Sequence, residues 1–337
     1  MESSTSIKAR PMSLAIKPFH LVAAAFYRIA YKCHHYFFLR PQPALRPPVF
    51  IVGSYLAGGA GKTPFSIWLA KHFQGQGKKV AILCHSAAWD EFIMAQQDFE
   101  NALAQNPQQS SNRRSFPNKQ NFPGHDTCDT SAISPEVKVI ATKNRYATAK
   151  EIQDKFDIII CDDGFEDSRF SGAIRLCLDW QEPPTSWKML IPNGPFRSLK
   201  QDHDEGEITH IGCYGKNGSP PDIKFSIESI TNYIPGTALT ATTICGLGSP
   251  DRFIEDIRAF GIHIAKSINR PDHDKRFPQV VKKELAKGSD IIITQKDACR
   301  LAKTILTHPK LHIAIQKITI PNSTKSIINV IIDKRTA

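Results

Sequence analysis

Residues 54–64 read SYLAGGAGKTP and follow the apolar run VFIVG at 49–53. A short apolar run ending in turn residues is the pattern of a buried strand. The next segment, FSIWLAKHF at 65–73, sets Phe65, Ile67, Leu69 and Phe73 at helical spacing. Strand, glycine-rich loop and helix, in that order, is the context of a phosphate-binding loop. Gly58, Gly59 and Gly61, with Ala60 between them, let the backbone turn tightly and aim its N–H groups at phosphate oxygens. Lys62 is placed for the β- and γ-phosphates of ATP, and the Thr63 hydroxyl for Mg²⁺. The helix amino terminus adds the positive end of its dipole. Leu56 stands where the strict pattern has its first glycine, so this is a variant loop. An ordinary strand-to-helix turn is the plainer alternative, and GGxGKT in this context disfavours it.

A second feature fits the first. The apolar strand FDIIIC at 156–161 ends in Asp162-Asp163-Gly164-Phe165. Carboxylates at the carboxyl end of a buried strand are where a phosphate-loop enzyme holds its metal. Asp162 and Asp163 are therefore the expected Mg²⁺ ligands, and a carboxylate pair capping a helix is the alternative. Strands Val80–Leu83, Val137–Ala141 and Ile174–Leu178, alternating with helical segments, predict an α/β fold with a mostly parallel sheet. From about residue 241 a second, smaller α/β lobe is expected. Its predicted elements are a helix from Pro250, strand Ile262–Ser267, helix Gln279–Lys287, strand Asp290–Thr294, helix Asp297–Leu306 and strand His312–Ile318. The ligand cleft is expected between the lobes, at strand carboxyl ends. The division is thus 1–40, 41–240 and 241–337. Residues 104–132, polar, proline-containing and without periodicity, form a flexible insertion in the first lobe.

The amino-terminal segment 13–38 has helical periodicity. Val22, Phe26, Ile29, Cys33 and Phe37 share one face, while Lys17, His20, Arg28, Lys32 and His35 fall largely on another. That is the pattern of a helix lying in a membrane interface, its basic side toward anionic head groups. Packing on the protein's own core is the alternative. The longest uncharged stretch, 18–27, is too short to span a bilayer, and no convincing signal-peptide cleavage site follows. Lys and Arg number 43 against 32 Asp and Glu, a net charge of +11, which favours anionic partners. No basic run is interleaved with aromatics, so nucleic acid is not expected. The eight cysteines form no C-x-x-C pair and are read as reduced core residues of a cytoplasmic protein. No Cys/His spacing fits zinc.

Seven ordered segments resemble the tetraacyldisaccharide 4′-kinases, the lipid A biosynthetic kinases of Gram-negative bacteria. They are PPVFIVGSYLAGGAGKTP, KVIATKNRYATA, IIICDDGFEDSRF, LIPNGPFR, ICGLGSPDRF, PDHDKRF and IITQKDACRLA. The resemblance covers most of residues 12–335. It implies ATP-dependent phosphorylation of the 4′-hydroxyl of a glycolipid, tetraacyldisaccharide 1-phosphate, at the cytoplasmic face of the inner membrane by a peripheral protein. It also implies His273 as an aid to acceptor deprotonation, with Asp126 beside it, Asp162 at the metal, and Arg197 and Asn193 on the acceptor.

The chain departs from the family pattern at several places. Ser54 replaces Asn, and His85-Ser86 replace Arg-Gly. Glu166-Asp167 replace Gln-His, Ser198 replaces an acidic residue, and Gln295 replaces Glu. The Gly-Asp-Glu-Pro stretch has only Gly124-His125-Asp126-Thr127 as a counterpart. Two alternatives remain at the level of sequence: a phosphate-loop switch or partitioning ATPase, and a non-catalytic relative that keeps the nucleotide site.

Overall fold

The computed structural model describes residues 18–88, 92–97, 136–204, 207–213, 220–247, 250–272 and 274–336. His273, Asp126, Lys17, Cys128 and the 104–132 insertion lie outside them. Two sheets organise the chain. The first has six strands, all parallel, in the order β3-β2-β4-β1-β5-β6. These are β1 (Val49–Gly53), β2 (Val80–His85), β3 (Val137–Thr142), β4 (Ile158–Asp162), β5 (Ile174–Asp179) and β6 (Ile208–Gly212). Parallel strands need helical crossovers, which cover both faces and leave the strands apolar throughout. Accordingly β1, β4 and β5 are buried at every position.

Helix α1 (Pro18–Phe38) precedes β1. Helix α2 (Lys62–Gly75) packs Phe65, Leu69 and Phe73 on one face of the sheet, against Phe50 and Ile160. A short α3 occupies residues 92–97. Helix α4 (Arg145–Ile152) covers the other face, where Ala149 meets Ile51 and Ile159. The α4 amino terminus is capped by Asn144, whose side chain accepts from Ala147 N.

The second sheet has the order β7-β11-β10-β8-β9. Its strands are β7 (Lys224–Ile230), β8 (Thr240–Cys245), β9 (His263–Asn269), β10 (Asp290–Thr294) and β11 (Leu311–Thr319). Only β7 runs antiparallel, against β11. Helices α5 (Pro250–Ala259) and α6 (Phe277–Leu285) bury Ile257 and Val281 on opposite faces. The expected helix over 297–306 is two shorter ones, α7 (Gln295–Ala298) and α8 (Lys303–Leu306).

The expected division at residue 241 misplaces two elements. β7 precedes that residue yet belongs to the second sheet. The final helix, α9 (Asn322–Thr336), leaves the second sheet and packs on the first: Ile320 and Ile328 share a core with Phe50, Phe73 and Val80. Phe225 of β7 joins the same core, so the two units are continuous on one side and open to a cleft on the other.

The expected apolar face of helix α1 is open to the outside: Val22, Phe26, Ile29 and Phe37 are each more than half exposed, and so is Phe19 near its start. The predicted basic face is partly internal. Arg28 is ion-paired with Asp202, and His35 is half-buried. Ala24 is fully buried, and Tyr27 and Tyr31 hydrogen-bond into the first unit. Cys33 is exposed, unlike Cys84, Cys161, Cys177, Cys213 and Cys245, which are buried free thiols. No helix among the described residues is long and apolar enough to cross a membrane.

Candidate active site

The site lies at the carboxyl ends of β1, β4 and β5, where the strand order changes direction. After β1 the chain enters a loop with Gly59 and Gly61 at φ 65° and 76°. At Gly61 an added Cβ would also meet the Phe225 ring at 2.5 Å, so glycine is required there on two counts. Gly61 O accepts the first helical bond of α2, from Phe65 N. The earlier N–H groups of the loop and first turn are thus available to an anion.

Side chains of two other segments hold this loop from behind. Trp180, just after β5, donates its indole Nε1–H to Ala60 O at 2.9 Å. Arg252 of α5 donates to Gly59 O at 2.8 Å and stacks on Trp180, 3.8 Å from the ring centroid. Occupying these carbonyls leaves the N–H side of the peptides facing the cleft. Asp297 fixes the base of α5: fully buried, it accepts from Gly246 N and from the Thr294 hydroxyl, and burial raises its pKa.

The two expected acids separate in function. Asp162, 1% exposed, accepts from Thr63 Oγ1 at 2.7 Å and Ser66 Oγ at 2.8 Å. Asp163, with φ at 51°, turns to the other side. Its carboxylate meets Lys62 Nζ at 2.9 Å, and Arg197 Nη1 lies 2.9 Å from both of its oxygens. Burial works to raise the Asp163 pKa. The Lys62 and Arg197 charges, with their hydrogen bonds, outweigh it and hold the carboxyl well below the usual range.

Arg197 belongs to a strap over the loop. Its N–H donates to Tyr55 O, and Ala57 N donates to Pro195 O, so PNGPFR pairs with the approach to the phosphate loop. Asn193, expected on the acceptor, is buried in the turn of this strap. Its amide donates to Lys188 O, which closes the turn.

Two cavities meet here. One is the cleft between the sheets, lined by residues 58–64 together with Leu247, Arg252 and Lys296. The other lies between α1 and the ends of β3 and β4, with Tyr31, His35, Lys143, Arg145 and Arg169 on its walls. Asp163 borders both. Arg145 donates to Asp162 O at 2.8 Å, and its Nε has no partner among the described residues. Burial lowers the His85 pKa, and the Arg145 charge adds to that.

Ser66, Trp180, Arg252, Phe225, Arg145 and Glu166 were not singled out as site residues in the sequence. Ser66 follows Thr63 by one helical turn, and that spacing was the available signal. Arg252 and Arg145 stood inside quoted motifs without a role. Nothing local marked Trp180 or Phe225. Beside the position of His273, Asp272 accepts from Lys296 Nζ at 3.1 Å and Arg300 Nη2 at 3.0 Å, and Lys296 and Asp272 line the cleft.

A parallel sheet with a lysine-bearing glycine loop after β1 and an acid bonded to the next threonine defines a P-loop nucleotide-binding protein. The family described as Tetraacyldisaccharide-1-P 4'-kinase (LpxK) matches residues 13–86 and 124–335. The chain belongs to that family. It is 26% identical over 328 residues to the tetraacyldisaccharide 4'-kinase of Chlorobium phaeovibrioides, across 87% of this chain and 88% of that one. Identity to the Chlamydia caviae tetraacyldisaccharide 4'-kinase is 24% over 287 residues, covering 76% and 73%. The crystal structure of Aquifex aeolicus LpxK in complex with ATP shares the fold with a TM-score of 0.50. The overlap covers 93% of this chain and 97% of that one, at 16% identity.

Proposed function

We propose that the chain transfers the γ-phosphoryl group of ATP to the 4′-hydroxyl of tetraacyldisaccharide 1-phosphate. The carrying observation is Asp163 on the shared wall of the two cavities. A phosphate chain held by residues 58–63 in the inter-sheet cleft ends at Lys62 and Asp163. An acceptor in the second cavity approaches the same carboxylate from the α1 side. In-line transfer needs this placement of donor and acceptor on opposite sides of one point.

Thr63 and Asp162 offer hard oxygens on one spot, a donor set that suits Mg²⁺. When bound there, the ion would neutralise charge on the phosphate oxygens. Lys62 and Arg197 do the same from the protein side, and Asp163 holds both ready before nucleotide arrives. Lys143, Arg145 and Arg169 give the acceptor cavity a basic wall suited to a phosphorylated sugar. His273 is assigned the acceptor proton, with Asp126 in support. Both lie outside the described residues.

The exposed apolar stripe of α1 adjoins the acceptor cavity. A peripheral position on the anionic cytoplasmic face of the inner membrane would bring the substrate's acyl chains alongside it. The test is incubation of the purified chain with ATP, Mg²⁺ and tetraacyldisaccharide 1-phosphate. Formation of the bisphosphate is expected. ATP binding with no bisphosphate would overturn the reading in favour of a non-catalytic relative.

A further inference from the structure

We propose that Glu166 is a positioning residue for phosphoryl transfer, the tie through which α1 keeps Arg197 and Asp163 in register. This rests on the kinase reading above. Glu166 follows Asp163 by three residues, on the turn after β4. One of its carboxylate oxygens accepts from the Tyr31 hydroxyl of α1 at 2.5 Å, and the other from Ser198 Oγ at 2.8 Å. Ser198 is fully buried and adjoins Arg197. His203 closes the group, its Nε2 lying 3.0 Å from Ser198 Oγ and 3.6 Å from Glu166.

Three segments distant in sequence therefore meet at one carboxyl group. Two parallel contacts reinforce it. Tyr27 of α1 donates to Arg197 O at 2.8 Å, and Arg28 pairs with Asp202, which itself accepts from Leu199 N. The path runs from α1 through Glu166 and Ser198 to Arg197, then to Asp163 and Lys62. Arg197 also touches the loop through Ala57 O at 3.4 Å, while Trp180 and Arg252 hold the Ala60 and Gly59 carbonyls.

The chemistry chosen for this tie is informative. A helix needs only apolar contacts to seat on a sheet. Burying a carboxyl is unfavourable unless it is fully hydrogen-bonded, and burial does raise the Glu166 pKa. What a carboxylate supplies is direction, since two oxygens fix two donors at defined angles. The groups so fixed adjoin the Arg197 and Asp163 side chains at the transfer point. A displacement of about 1 Å there is enough to slow a reaction about 10²-fold.

The experiment compares kcat for the disaccharide, KM for ATP and hydrogen exchange of α1 amides in full-length variants. In Glu166→Ala, kcat is expected to fall about 10²-fold with KM for ATP unchanged and α1 exchange faster. Ser198→Glu sets a second carboxylate against the first and is expected to lower kcat likewise. Adding Glu166→Gln to Ser198→Glu moves the single carboxylate across the contact and is expected to restore turnover. Wild-type kcat in Glu166→Ala would overturn the tie. So would a loss in which KM for ATP rises with the fall in kcat, or a failure of the exchanged pair to recover. A wild-type chain that leaves the disaccharide unphosphorylated would remove the kinase reading and the tie's catalytic role together.

Discussion

Lys62 Nζ sits 2.9 Å from Asp163 and not on the adjacent Asp162, which is bonded to Thr63 and Ser66. Two neighbouring carboxylates thus point to opposite sides of the strand end. Lys62→Ala and Thr63→Ala should each reduce bisphosphate formation by at least about 10²-fold, since they remove phosphate neutralisation and a metal ligand respectively. Product formation by thin-layer chromatography checks both, and wild-type-like rates in both variants would remove the phosphate-loop assignment.

Asp163→Asn leaves the Lys62 and Arg197 charges without their counter-ion. The nucleotide-free protein should lose about 3 kcal/mol, the lower end of the range for breaking a buried pair, because the site is partly open. The Asp163 pKa is depressed on folding, so the stabilisation it gives is present above the ordinary carboxylate range. It fades as pH falls below about 4. The gap between wild type and variant, followed by thermal unfolding, should therefore be widest near neutrality and close in acid. ATP should stabilise the variant more than the wild type, because phosphate replaces the missing anion.

Glu166 has the opposite sign. Burial raises its pKa, so folding is favoured while the group is protonated and loses that advantage as pH rises through the folded value. Glu166→Gln, which stays neutral, should melt higher than wild type at pH 8. The gain should appear as a higher midpoint of thermal unfolding. The difference should shrink toward pH 4. A variant that gains as pH falls would contradict the assignment.

The geometry of α1 sharpens the membrane prediction. Removing the helix would also strip Tyr27, Arg28 and Tyr31 from the first unit, so a surface replacement is the cleaner probe. Phe19→Ser, Phe26→Ser and Ile29→Ser together should release the protein from anionic vesicles, since each buried side chain is worth about 1.5–3 kcal/mol of transfer. ATP binding should be unchanged. Co-sedimentation equal to wild type would place the anchor elsewhere.

Local order was the legible part. VFIVG gave β1 to the residue, and GGAGKT with DDGF named the two halves of the nucleotide site, because strand, loop and acid are each written in contiguous residues. Contacts made across sequence were not legible. Glu166 and Ser198 stood as two unrelated departures from the family pattern, yet they are bonded to each other at 2.8 Å. The family's acid after the arginine has a counterpart here on the other side of that contact. Asn193 shows the converse: its motif is legible, but only the folded turn reveals that its amide nitrogen donates to Lys188 O. The faces of α1 were separated correctly by periodicity. Which face turns inward was decided by Tyr27 and Tyr31, whose partners lie at residues 197 and 166.

The return of α9 to the first sheet has a mechanical consequence. The backbone passes between the two units twice, once from β6 to β7 and again from β11 to α9. A body joined to another at two points keeps one easy rotation, about the line through them. Opening of the cleft that holds Gly59 and Arg252 should therefore favour a swing about that line. Twisting or sliding of one sheet across the other would have to tear Phe225 and Ile328 from their shared core.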